Sequence, residues 1–136
     1  MKNLIYLFSI LMISLTACDN ELKKELETQQ ATLMKLHDEV MPKSMRIDKI
    51  KANLQTLSQS QNDNDSLSVL ITDTSVKLQK TNDDMYTWMK NFGVAMNDVT
   101  DLDEKKKLYD ELEIEIEKIK AETDEYTEKA QKLLQQ

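Results

Sequence analysis

One glycine and one proline in 136 residues leave this chain few places to turn. Ordinary globular usage is about 7% and 5%, and tight turns draw on both residues. The backbone is therefore committed to long segments. Charged residues make up 32% of the chain and aromatics only 5%. A core of Leu, Ile, Val and Met beneath a charged surface is the composition of packed amphipathic helices.

The spacing of apolar residues agrees. From Leu22 they recur near every 3.5 residues: Leu22, Leu26, Leu33, Leu36, Val40, Ile47, Ile50, Leu54 and Leu57, with Gln29 and Lys43 where the stripe skips. Such a heptad-like stripe belongs to helices packed along their length. It fades into Ser58–Ser66, a run of turn-forming residues read as a loop, with Asp65 or Ser66 suited to cap a second helix. The second stripe is Leu67, Leu70/Ile71, Thr74, Leu78, Thr81, Met85, Trp88 and Phe92. Gly93 is the expected C-cap, with Lys90 in the last turn favourable to the helix dipole. Val94 to Leu102 reads as a connection, and Thr100 or Asp101 as the cap of a third helix opening on Asp103 and Glu104. Its stripe is Leu108, Leu112, Ile116, Ile119, Thr123, Tyr126, Ala130 and Leu133, with Glu111, Glu113, Glu115 and Glu117 on a solvated face.

These helices would be roughly 57, 40 and 48 Å long. Short connections make consecutive helices antiparallel, so the expected fold is all-α, an elongated up-down-up three-helix bundle. A first turn near residue 62 sets position i beside about 124 − i. Phe92 then falls near residue 32, leaving residues 18–31 as an expected stalk and residues 32–136 as the bundle. Pro42 interrupts the first helix, at a cost of about 3 kcal/mol in a helix interior. The choice is a kink at Pro42 or two helices joined at Glu39–Met41; the unbroken phase of the stripe favours the kink.

The N-terminus carries a different signal. One positive charge at Lys2 precedes an apolar run, Leu4 to Leu15, interrupted only by Ser9 and Ser14. A bilayer span needs roughly twenty residues, whereas an export signal has this shorter form. Residues 1–17 are read as that signal, which ends in Leu15-Thr16-Ala17-Cys18. The tetrapeptide resembles the lipobox of bacterial lipoproteins, L-[AST]-[GA]-C, at every position. The resemblance implies diacylglyceryl transfer to the Cys18 thiol, cleavage before it, and acylation of the new amine with a chain such as palmitate. It also implies lipid anchoring in the cell envelope, with the outer membrane expected and its periplasmic face or the cell surface left open. The alternative is a free cysteine beside an uncleaved membrane helix. No disulfide can form within a chain that has one cysteine.

Two motifs, His37-Asp38-Glu39-Val40-Met41-Pro42-Lys43 and Asp83-Asp84-Met85-Tyr86-Thr87-Trp88-Met89-Lys90-Asn91-Phe92, resemble a group of small uncharacterised lipoproteins of the Bacteroidota, loosely labelled viral A-type inclusion protein homologues. The resemblance extends to the Glu/Lys-rich end, Glu128-Lys129-Ala130-Gln131-Lys132-Leu133-Leu134. Members of that group often carry histidine and methionine where this chain has Lys90 and Ser44, so a ligand set from the group does not transfer here. The group carries no established activity.

Loss of residues 1–17 removes one lysine and no acid, moving the formal charge from −7 to −8. A negative surface disfavours nucleic acid and anionic headgroups. The expected partners are the membrane, through lipidated Cys18, and a protein partner or a second copy of the chain. Catalytic groupings are missing: one glycine rules out a phosphate-binding glycine loop, and one histidine leaves no triad beyond chance. Met34 stands where a Glu-x-x-His di-iron motif needs glutamate, and covalent haem needs an absent C-x-x-C-H. The chain is therefore expected to be non-enzymatic and to need no cofactor. One constellation bears on binding. Met34, His37, Met41 and Met45 share one face, and the register sets Met85, Trp88 and Met89 opposite, with Tyr109 near. Thioether and imidazole suit Cu(I), whereas methionine also fills irregular cores. A kink-centred core is the simpler reading, with copper, non-covalent haem or a small ligand as alternatives.

Overall fold

A computed structural model describes the backbone of residues 2–60 and 65–135, and side chains for 20–60 and 66–135. It is an all-α bundle of α1 (Lys2–Ser44), α2 (Ile47–Ser60), α3 (Asp65–Asn97) and α4 (Leu102–Leu134). The first two form one interrupted rod. It packs antiparallel to α3, and α4 returns beside both.

Sequence spacing builds this core directly. Leu26, Leu33, Val40, Ile47 and Leu54 are all buried and each is seven residues from the next. On α3 the buried residues other than Asn82 form two such rows, Ile71–Leu78–Met85–Phe92 and Thr74–Thr81–Trp88–Ala95. Seven residues are about two helical turns, so each row stays on the seam. Cross-helix pairs hold the register. Glu25–Lys106, Glu39–Lys120 and Lys43–Asp124 each join α1 to the residue 81 places later on α4, which makes these helices parallel. Between α1 and α3 the pairs Gln30–Met96, His37–Trp88 and Ser44–Asn82 lie within two residues of the expected register of about 124 − i.

Four details depart from the sequence reading. First, α1 continues through Pro42, and the interruption falls at Met45–Arg46. Proline's own φ is helical. The ladder, one donor short at Pro42, then tightens to a three-residue step, with Arg46 N donating to Lys43 O at 3.0 Å. Val40 and Ile47 on either side remain fully buried, so the seam keeps its phase. Second, helix α2 extends to Ser60, into the expected loop, of which residues 61–64 lie outside the described residues.

Third, Gly93 is not a cap. The helix runs on to Asn97, because Ala95 and Met96 continue the apolar pattern. Its last carbonyls are met by Asn97 Nδ2 on Gly93 O, Asp98 N on Val94 O, and Lys105 Nζ on Met96 O. Lys90 is accordingly not in the last turn. A Cβ at Gly93 would meet nothing within 4 Å. Gly93→Ala should therefore stabilise the bundle by about 0.5–1 kcal/mol, measured as a higher urea midpoint at unchanged slope. Of the two expected caps, Thr100 and Asp101, it is Asp101 that caps α4, its Oδ1 accepting from Glu104 N at 2.8 Å.

Fourth, residues 22–31 of the expected stalk are packed against the bundle. Leu22 and Leu26 join the core, and Gln29 Nε2 donates to Asp110 at 2.8 Å and Glu113 at 3.0 Å. The main partner is α4, which returns alongside α1, joined at Gln30 by Met96 in the last turn of α3. The sequence order of helices sets neighbours; the third helix covers what the second leaves bare.

The core is divided. One apolar cluster runs from Leu26 to Val40 on α1 with Met85–Ala95 and Tyr109–Ile119, and another joins Ile47, Leu54, Ile71, Leu78, Ala130 and Leu133. Between them lies a polar layer of Ser44, Thr81, Asn82 and Thr123, all buried. Ser44 Oγ donates to Asn82 Oδ1 at 2.6 Å, and Thr81 Oγ1 donates to Leu78 O at 2.9 Å. Thr123 Oγ1 has no partner among the described residues. A buried hydroxyl without a hydrogen bond costs about 1–3 kcal/mol. Thr123→Val, of similar shape, should therefore raise stability by about 1 kcal/mol or more, and a lower thermal midpoint would contradict this.

Candidate functional site

The Met/His constellation lies in the first apolar cluster, where α1, α3 and α4 meet. Its centre is Trp88, which the α3 heptad turns inward to 1% exposure. Its Nε1 donates to Leu112 O of α4 at 2.8 Å, fixing these two helices in register. Phe92 stacks on the indole at 5.1 Å between ring centres, and His37 stacks on it at 6.2 Å and 24°. Tyr109 packs against Phe92 at 6.0 Å and donates its hydroxyl to Gln30 Oε1 at 3.3 Å. Burial holds the Tyr109 phenol above its ordinary pKa, because desolvation disfavours the phenolate.

Three helices thus share one aromatic stack. The sequence register sets Trp88 opposite His37 with Tyr109 near; Phe92, expected near residue 32, joins the stack through packing. The candidate ligands divide by depth. Met85 is fully buried, while Met41 and Met89 are half-buried against the same cluster. Met34 and Met45 are 41% and 72% exposed, so they face outward. The six sulfur and imidazole residues therefore do not converge as one set: Met34 and Met45 lie on the outer edge of their helix face. His37 is 22% exposed, and its Nδ1 donates to the Asp38 carboxylate at 3.0 Å. That bond leaves Nε2 as the acceptor of the neutral ring. Among the described residues, no three His, Cys, Asp or Glu side chains gather into a metal-binding group.

Charges outside the core are arranged as bracing. Lys106 lowers the Asp110 pKa, with Gln29 adding a second hydrogen bond. Hydrogen bonds from Lys77 and then Lys129 likewise hold Asp73 low, and Lys132 does so for Glu128. A carboxylate with a depressed folded pKa contributes stability above its unfolded value, lost as pH falls through the folded one. Thermal melts should consequently drop as pH falls below about 4, and an Asp110→Asn variant should show a shallower drop. A wild-type midpoint unchanged between pH 5 and pH 2 would contradict this.

No family model, curated protein or solved structure matches the chain. The Cys18 side chain lies outside the described residues. Among the described residues, no helix is long and apolar enough to cross a membrane.

Proposed function

We propose that this is a lipid-anchored protein of the bacterial cell envelope whose helical bundle is a non-catalytic structural or interaction module. The observation that carries the reading is Leu15-Thr16-Ala17-Cys18, a lipobox-like tetrapeptide. Among the described residues, core packing begins at Leu22, about one helical turn after it. An anchor that close sets the bundle at the membrane, not on a long tether. The interior supports the same reading, since its aromatic and thioether groups are used in packing across three helices. The outer membrane is the proposed site, and partners are proteins or a second copy of the chain. The test is crosslinking of the lipidated protein in its own membrane. Turnover of a substrate by the purified bundle, lost on one point mutation, would overturn the non-catalytic reading.

A second reading has one specific support, the Asp38-oriented His37 ring beside half-buried Met41 and Met89. A carboxylate on one ring nitrogen orients the other toward a metal, and Cu(I) suits this donor set. Cu(I) titration into wild type and His37→Ala decides it. Binding weaker than micromolar, or equal in both, removes the copper reading.

A further inference from the structure

The outer groove between α3 and α4, on the side away from α1, contains a hollow of about 190 Å³. Its origin is in the α3 seam. Thr74, Thr81, Trp88 and Ala95 recur every seven residues, and Ala95 brings only a methyl group where Trp88 brings an indole. The floor drops there to Ala95 and Leu112, with Val94 and Leu108 as apolar walls. The charged residues lining it are Glu111 and Glu115, without a cation. Among the described residues, Glu115 has no ion pair and Glu111 has only Lys107, at 4.0 Å. Val94 and Ala95 also lie in the last turn of α3, where the helix end carries partial negative charge. The positive start of α4 is already met by Asp101, Asp103 and Glu104.

Apolar walls under a negative field select a long cationic side chain, whose methylene stem covers the walls while its head meets the carboxylates. We propose that this hollow is a docking site for a helix of a basic protein, which inserts a lysine or arginine beside Ala95. The groove runs on past Asn91 and Glu115 into a second hollow of about 230 Å³ at Trp88, whose two lysines, Lys80 and Lys118, are already paired with Asp84 and Glu122, which gives such a helix room to lie lengthwise. A second copy of this chain fits less well, because each copy carries net negative charge. The proposal rests on the reading of the chain as an interaction module.

A photoreactive residue at Asn91 of the full-length protein tests it in the native membrane, with the same residue at exposed Met34 as the control. The expected result is an adduct at 91 whose peptide, sequenced by mass spectrometry, has Lys or Arg within one helical turn of the link. Glu111→Lys with Glu115→Lys should reduce that adduct at least tenfold while leaving the circular dichroism spectrum unchanged. An adduct only with lipid or a second copy, one insensitive to charge reversal, or none at 91 overturns the proposal. Protein adducts at 34 without any at 91 leave the module reading standing; none at either position removes both.

Discussion

Trp88→Ala will destabilise the bundle by about 3–5 kcal/mol, the range for truncating a large buried aromatic. The indole is stacked between His37 and Phe92 and hydrogen-bonded to the Leu112 carbonyl. Its loss opens a cavity at the junction of three helices and releases the bond that joins α3 to α4. Domains of this size have about 5–15 kcal/mol in total, so at least about a fifth of the stability is at stake. Urea unfolding followed by far-ultraviolet circular dichroism measures it. Trp88→Phe separates the causes, since it keeps a ring and loses the donor. The expected cost of that change is about 1–2 kcal/mol. A Trp88→Ala loss smaller than the Trp88→Phe loss would contradict the packing account.

Cys18→Ser should abolish lipid attachment altogether. The acyl chains each contribute about 0.8 kcal/mol per buried CH₂, and stable anchoring needs two or more such signals. A serine cannot form the thioether that starts the modification. Wild type is expected in the detergent phase of a phase-separating extraction, with an acylated Cys18 as the N-terminal residue by mass spectrometry. The variant is expected to keep residues 1–17 and carry no acyl mass. A chain starting at Asp19 should remain in the aqueous phase, since it keeps every core residue from Leu22 onward. Acyl mass on the serine variant, or an unmodified cysteine in wild type, would refute the anchor.

The candidate site was legible in outline. His37 and Trp88 were expected within a residue of each other's height, and they stack. A short loop couples neighbouring helices so tightly that one turn position sets the whole register. The divergence of Met34 and Met45 from Met85 was not legible. Positions three or four apart share a helix face, but a face spans both seam and solvent. Only the neighbouring helices determine where along that arc burial ends. The hollow at Ala95 was hidden for a related reason: a small residue on a seam leaves space only when the facing side chains do not fill it.

Local pattern by itself determined three helical rods, their antiparallel order and the residues on each seam, because a period of 3.5 selects one angular stripe whatever lies opposite. It also narrowed the cap of α4 to Thr100 or Asp101, and Asp101 makes that contact within one turn. Tertiary structure decided the rest. α3 passes through Gly93 because Ala95 and Met96 have partners there, and residues 22–31 are packed because α4 returns beside them and the last turn of α3 reaches Gln30. Ser44 and Asn82, from separate helices, meet in a buried hydrogen bond, and Thr123 of a third helix is buried with its hydroxyl unpartnered among the described residues. Each of these depends on groups distant in sequence, whose free energy of burial exists only once the helices have come together.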